Sequence, residues 1–179
     1  LPIANSEITG EYLAPCVPGS QSDAAKTPGL GMGNIYGERL NIHHFGKGVM
    51  TSGDVTLRDS WLHDFVGGNC DAGGARTHID GVFVWPSARN VFTGNFIDAA
   101  NGAGGMSIQA NMTAAIFLYH GDVEVHSNGV FAGNWLSGGS YTVYAGDQLA
   151  SNVKWIDNTF IRSYDYPKGG VWGPVTGRP

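Results

Sequence analysis

Val91-Phe92-Thr93-Gly94-Asn95-Phe96-Ile97 is an apolar pair, a polar residue, a Gly-Asn bend and a second apolar pair. The same phrase returns as Val55-Thr56-Leu57-Arg58-Asp59-Ser60-Trp61-Leu62, as Val130-Phe131-Ala132-Gly133-Asn134-Trp135-Leu136 and as Val153-Lys154-Trp155-Ile156-Asp157-Asn158-Thr159-Phe160. A shorter phrase alternates with it: Gly81-Val82-Phe83-Val84, Ala115-Ile116-Phe117-Leu118, Tyr141-Thr142-Val143 and Gly170-Val171-Trp172. This second phrase puts Val49, Val82, Ile116, Val143 and Val171 in equivalent places, 33, 34, 27 and 28 residues apart. An element pair that recurs along a chain is one unit stacked on copies of itself, because no single copy can bury its own apolar face.

Each repeat alternates β-branched or aromatic residues with polar ones between Gly, Asn, Asp and Ser, which is the pattern of short strands joined by turns. No stretch sustains a helical period, so very little helix is expected. Leucine-rich repeats have shorter, Leu-dominated periods, and propeller blades have longer ones with four strands each. The spacing therefore predicts an all-β fold, a parallel β-helix or solenoid of about five coils with inserted loops. Residues 34–179 would form it, and residues 1–33 would be an N-terminal capping or extended segment, since solenoid ends expose unpaired strand edges. Asn95, Asn134 and Asn158, with Ser60 one repeat earlier, fall at one bend, where an Asn can take the left-handed conformation and bond to backbone or to the Asn above it. Stacking alone accounts for these residues.

The 179 residues carry a net charge of −5 and only 14% charged side chains, with 28 glycines and 42% apolar residues. No Lys/Arg cluster is present, which argues against a nucleic-acid partner or an anionic membrane surface. The apolar runs are too short to span a bilayer, and no signal sequence opens the chain. A start at Leu1 fits a processed protein or a domain cut from a longer chain. Cys16 and Cys70 are too far apart for a local metal knuckle and too few for a disulfide framework. They read as one bridge or as two separate thiols.

The segments NVFTGNFID, HIDGVFVWP and NVKWIDNTFI resemble the right-handed parallel β-helix repeat proteins of the pectin-lyase-like superfamily, especially actinobacterial and actinobacteriophage members. The likeness covers roughly residues 34 to 173. It implies a right-handed coil, and it leaves function open among lyases, hydrolases, epimerases, phage tailspikes and non-catalytic surface proteins. Arg76-Thr77-His78-Ile79-Asp80-Gly81 resembles the N-T-D-G segment that opens a strand in polygalacturonase-type hydrolases, with Asp80 matching a catalytic acid. Inverting hydrolysis needs a second carboxylate across the scissile bond, and the D-D, G-H-G and R-I-K partners of that family are missing. Arg76, His78 and Asp80 are thus read first as a turn leading into a strand and second as a catalytic group.

A pectate-lyase reading would draw on Asp59, Asp64, Asp71 and Asp80 for calcium, with Arg58 or Arg76 as base. These carboxylates have no ligand spacing, so calcium is not signalled and no cofactor is expected. His43-His44, His63-Asp64, His120 and His126 lack metal-ligand spacing, and alternation beside Leu62 places His63 outward as a solvated or loop-bonded side chain. Cys70 sits in a Gly-rich loop beside Asp71, a poor setting for a thiolate. The glycine pairs precede no helix and make no phosphate cradle.

The outward aromatics remain. If Val82 and Val84 face the core, then Phe83 and Trp85 face out, and the same parity exposes Phe117 and Tyr119, with Tyr144 and Trp172 extending the set. Such a ladder can stack sugar rings, form a seam between sister protomers of a trimer, or lie beneath the 99–113 loop. The expected function is a non-catalytic β-helix domain of a phage tail, spike or surface protein, extracellular or on a virion. It would give a rigid face to a polysaccharide, a cell-surface glycan or other subunits of an assembly. The alternatives are a polysaccharide lyase or glycoside hydrolase acting on an acidic or cell-wall glycan, and a purely structural element.

Overall fold

In the computed structural model the described residues are 2–10, 27–31, 33–66, 79–86, 89–100, 112–119, 126–146, 150–162 and 169–177. They form strands β1 (Pro2–Thr9), β2 (Pro28–Gly31), β3 (Ile35–His43), β4 (Lys47–Thr51), β5 (Val55–Arg58), β6 (Trp61–His63), β7 (Ile79–Val84) and β8 (Val91–Thr93). The second half adds β9 (Phe96–Ala99), β10 (Met112–Leu118), β11 (Val130–Ala132), β12 (Trp135–Gly138), β13 (Tyr141–Tyr144), β14 (Lys154–Ile156), β15 (Thr159–Phe160) and β16 (Gly173–Thr176). Every pairing between these strands is parallel.

Two sheets result, one in the order β14-β11-β8-β5-β3-β6-β9-β12-β15 with β1 also on β3, the other β16-β13-β10-β7-β4-β2. Strand β3 serves two stacks, its residues 35–38 pairing with β5 and its residues 41–43 with β6. The chain therefore visits three strand positions in rotation and lays each strand on its predecessor. This is an all-β fold of parallel sheets, compatible with a β-helix-like solenoid.

Two details differ from the sequence reading. The β2 to β16 sheet has six members where about five coils were expected, because the segment assigned to a cap supplies β2, and β1 pairs along the whole of β3. Val175, rather than Val171, stands opposite Val143. The Val171 and Trp172 amides instead donate to the Gly139 and Ser140 carbonyls, so these two residues stack on a corner and not on a strand.

The core lies between the three stacks and is built of ladders. Leu57, Phe92, Phe131 and Trp155 stand in register, with the Phe92 and Phe131 rings parallel at 5.4 Å and Phe131 on Trp155 at 4.3 Å. Leu62, Ile97 and Leu136 form a second ladder, and Leu30, Val49, Val82, Ile116 and Val143 a third. Apart from Trp155 these side chains are buried. Each fully buried Val, Leu, Ile or Phe contributes about 1.5–3 kcal/mol.

The corner between the first two stacks explains the repeated Asn. Asn95 Oδ1 accepts from the Ser60 amide at 3.1 Å, Asn134 Oδ1 from the Asn95 amide at 3.0 Å, and Asn158 Oδ1 from the Asn134 amide at 3.0 Å. Their Nδ2 groups donate to the Leu57, Phe92 and Phe131 carbonyls. Bonding to backbone and to the next Asn was expected, but the left-handed conformation falls one residue earlier. Asn5, Arg39, Asp59, Gly94, Gly133 and Asp157 hold φ between 48° and 66°. That displacement lets each Asn turn its amide inward while the residue before it makes the bend.

Candidate functional site

The left-handed row forms one side of an outer groove. Asn5, Arg39, Asp59 and Gly94 follow one another across successive members of the stack, and two positions further along the chain lies the row Glu7, Asn41, Trp61, Phe96, Trp135 and Thr159. Alternation about the inward Leu62, Ile97 and Leu136 turns this second row outward. A groove of ≈ 540 Å³ runs along the corner, lined by Asn5, Ser6, Arg39, Asp59 and Gly94 from the first row and its neighbours and by Asn41, Trp61 and Phe96 from the second. Trp61, Phe96 and Trp135 are 46%, 36% and 58% exposed. The Trp61 and Phe96 rings are within 5° of parallel, their centroids 6.3 Å apart.

Trp61 is held from behind. One face lies on the His63 imidazole with centroids 3.6 Å apart, which leaves the other face for the groove that Trp61 lines. His63 stacks in turn on His43 at 5.1 Å. His63 Nδ1 is 2.6 Å from Asp64 Oδ2 and its Nε2 2.7 Å from Asn41 Oδ1. His43 Nε2 is 3.0 Å from Glu7 Oε1 and its Nδ1 2.6 Å from His44 Nδ1. Both nitrogens of both rings are engaged, so these imidazoles are held in place as a scaffold for Trp61. Of the two outward settings expected for His63, solvated or loop-bonded, the structure has the second: parity turns it away from Leu62, it bonds Asp64 just past β6, and it is buried, stacked between His43 and Trp61. Among the described residues no group of three His, Cys, Asp or Glu side chains is arranged to hold a metal ion.

The groove has little free positive charge. Arg39 Nε donates to Asn5 Oδ1 at 2.6 Å, and its guanidinium pairs with Glu38. The Asp59 amide donates to the Thr93 carbonyl at 3.0 Å, while its carboxylate leans over Gly94, where an added Cβ would lie 2.5 Å from Oδ1.

The residues singled out from sequence fall elsewhere. Phe83 and Phe117 lie on the side of the third stack away from the main core, as parity required, but they are buried in a small cluster with Ala114, against which Met50, Trp85, Tyr119 and Tyr144 pack. Phe83 and Phe117 stack at 5.4 Å, and neither offers a face to solvent. Trp172 is exposed and meets Tyr141 edge-on at 5.6 Å. Burial, then Tyr141 and Asp80, push the Tyr144 phenol above its ordinary pKa. Arg76, His78, Cys16, Cys70, Asp71 and His120, and most of the 99–113 loop, lie outside the described residues.

Asp80 is no turn residue. It sits within β7 opposite Lys47 and Ala114, fully buried, with neither carboxylate oxygen hydrogen-bonded. Burial raises its pKa from 3.8 to about 7; the charge of Lys47 and the nearby Ala114 backbone pull the other way and only in part. The Ala114 backbone is close enough to favour the anion without forming a well-shaped hydrogen bond.

Sequence reasoning missed the groove, although its signal was present. Trp61, Phe96 and Trp135 each follow the corner Ser or Asn directly, and the parity applied to the second phrase would have exposed them in the first. No protein-family model, curated protein or solved structure matches the chain. The likeness to pectin-lyase-like proteins thus rests on the repeat phrases alone.

Proposed function

We propose that the chain is a right-handed parallel β-helix domain that binds a polysaccharide without cleaving it, within a phage tail, spike or cell-surface protein. The observation that carries this reading is the pair of exposed, parallel rings Trp61 and Phe96 in one groove with Asn5, Ser6, Asn41 and Asp59. A pyranose has apolar C–H faces and a rim of hydroxyls. Aromatic faces serve the first, and amide, hydroxyl and carboxylate groups serve the second. Rigid strands hold both rows in place, so little ordering is lost on binding.

Titration calorimetry of the chain against a panel of soluble polysaccharides tests it, with light scattering to follow oligomerisation. The expected result is binding by at least one glycan, weakened roughly tenfold or more in Trp61→Ala. Binding indifferent to Trp61, or a Trp61–Trp135 face closed by a second copy of the chain, would overturn it.

One observation favours a second reading as a lyase or glycoside hydrolase: the Asp80 carboxyl, at about 7, has the proton affinity of a general acid at neutral pH. Its complete burial argues the other way, since an acid must reach the bond it protonates. Release of reducing ends or unsaturated uronates, abolished in Asp80→Asn, would establish it.

A further inference from the structure

We infer that the corner groove takes an uncharged pyranose chain laid along the stacking direction and turns polyuronates away; this rests on the glycan-binding reading above. The direction follows from the register. Asn5, Arg39, Asp59 and Gly94 belong to four successive members of the stack, and neighbouring parallel strands lie about 4.8 Å apart, so the groove crosses the strands over roughly 14 Å. Trp135, in register with Phe96, carries the aromatic row one step further. Gly94 has no side chain of its own beside Phe96, and the Asp59 carboxylate takes up that space, within reach of a ring laid on Phe96.

The charge preference follows from who is already engaged. Arg39 is the one cation among the described lining residues, and its Nε and Nη1 are engaged by Asn5 and Glu38. The Asp59 carboxylate, by contrast, makes no hydrogen bond or ion pair among the described residues and projects over the groove at Gly94. A carboxylate of this kind accepts from sugar hydroxyls and repels a uronate carboxylate, and among the described residues no cation other than Arg39 lines the groove. Asn5 and Ser6 add neutral groups suited to hydroxyls, Asn5 through its Nδ2 and Ser6 as an acceptor, since Asn5 Oδ1 accepts from Arg39 and Ser6 Oγ donates to the Ala4 carbonyl.

The test is calorimetric titration of the whole chain, at low salt, with cello-, manno- and chito-oligosaccharides and with oligogalacturonates. An uncharged series should bind, tightening with length until the groove is filled, and oligogalacturonates should bind roughly tenfold or more weakly. Asp59→Asn should weaken the uncharged ligand, strengthen the oligogalacturonate and so narrow their ratio about tenfold. Asn tolerates a positive φ as Asp does, so the corner should persist in the variant, as circular dichroism would verify. Oligogalacturonates binding more tightly than every uncharged series, or a ratio unmoved by Asp59→Asn, would overturn the inference while leaving glycan binding intact. If no glycan of either class binds, the glycan-binding reading fails first and this one with it.

Discussion

A carboxyl group buried without a hydrogen bond folds most easily with its proton on. Asp80 is in that position, and the sign of its effect runs opposite to that of a salt-bridged aspartate. Its pKa rises from 3.8 to about 7 on folding, so between those values the folded chain holds a proton that the unfolded chain has lost. Stability must then fall as pH rises from about 4 to about 7, and above that range the full burden of a buried anion is present. The gap corresponds to roughly 4 kcal/mol. Asp80→Asn removes the titration but leaves a buried amide in need of partners, which costs about 1–3 kcal/mol. In urea titrations the variant is expected to be less stable than, or level with, the parent at pH 4, and more stable at pH 8. Parallel pH profiles for the two proteins would show that Asp80 does not titrate as its surroundings require. None of this was legible in sequence, where Asp80-Gly81 reads as a turn: the burial comes with the stacking of β7 between β4 and β10, which sets Asp80 opposite Lys47 and Ala114.

At the scale of elements, the corner Asn ladder is where sequence spoke most directly. The recurring Gly-Asn and Asp-Asn pairs named the bend, and the bonds from amide to amide follow from the side chain's two-sided chemistry. Asn134 sits mid-ladder: it accepts from the Asn95 amide and Nδ2, and donates to the Phe92 carbonyl and to Asn158 Oδ1. It is fully buried, whereas Asn158 is only half-buried. Asn134→Ala would strand the Asn95 amide and the Phe92 carbonyl out of reach of water, at about 1–3 kcal/mol for each group. Asn158→Ala breaks comparable bonds where water can replace them. Denaturant unfolding should therefore place Asn134→Ala at least about 1 kcal/mol below Asn158→Ala; equal losses would mean that the ladder is ornamental. The aromatic row beside it carried the same signal, since Trp61, Phe96 and Trp135 each follow the corner Ser or Asn. Register sets Trp61, Phe96 and Trp135 in one line, and only burial shows that Phe83 and Phe117 do not face solvent.

For the whole molecule, stacking sets a gradient of stability. Each unit touches its neighbours alone, so free energy accumulates as nearest-neighbour terms, and units at either end have one neighbour instead of two. The burial follows this rule. Strand β7 is buried at all six residues, whereas β14 has two exposed residues and one half-buried, and β1 has five of eight exposed. Opening an end unit exposes little apolar surface, while opening the middle breaks two interfaces at once. Hydrogen exchange read by mass spectrometry should thus find the slowest amides in β7, β9 and β10, with protection falling toward β1 on one side and β14 to β16 on the other. Uniform protection, or a β7 that exchanges as fast as β14, would contradict stacking as the source of stability. The groove spans this gradient, from Asn5 and Ser6 on β1 to Phe96 on β9. A ligand that bridges them binds only the closed form of β1, and it stabilises that form in proportion to its concentration over its dissociation constant. Saturation with a glycan that binds the groove should therefore slow exchange most in β1 and β3 and least in β7 and β10. The reverse pattern, with protection centred on β7 and β10, would move the binding site to the buried Phe83 and Asp80 face.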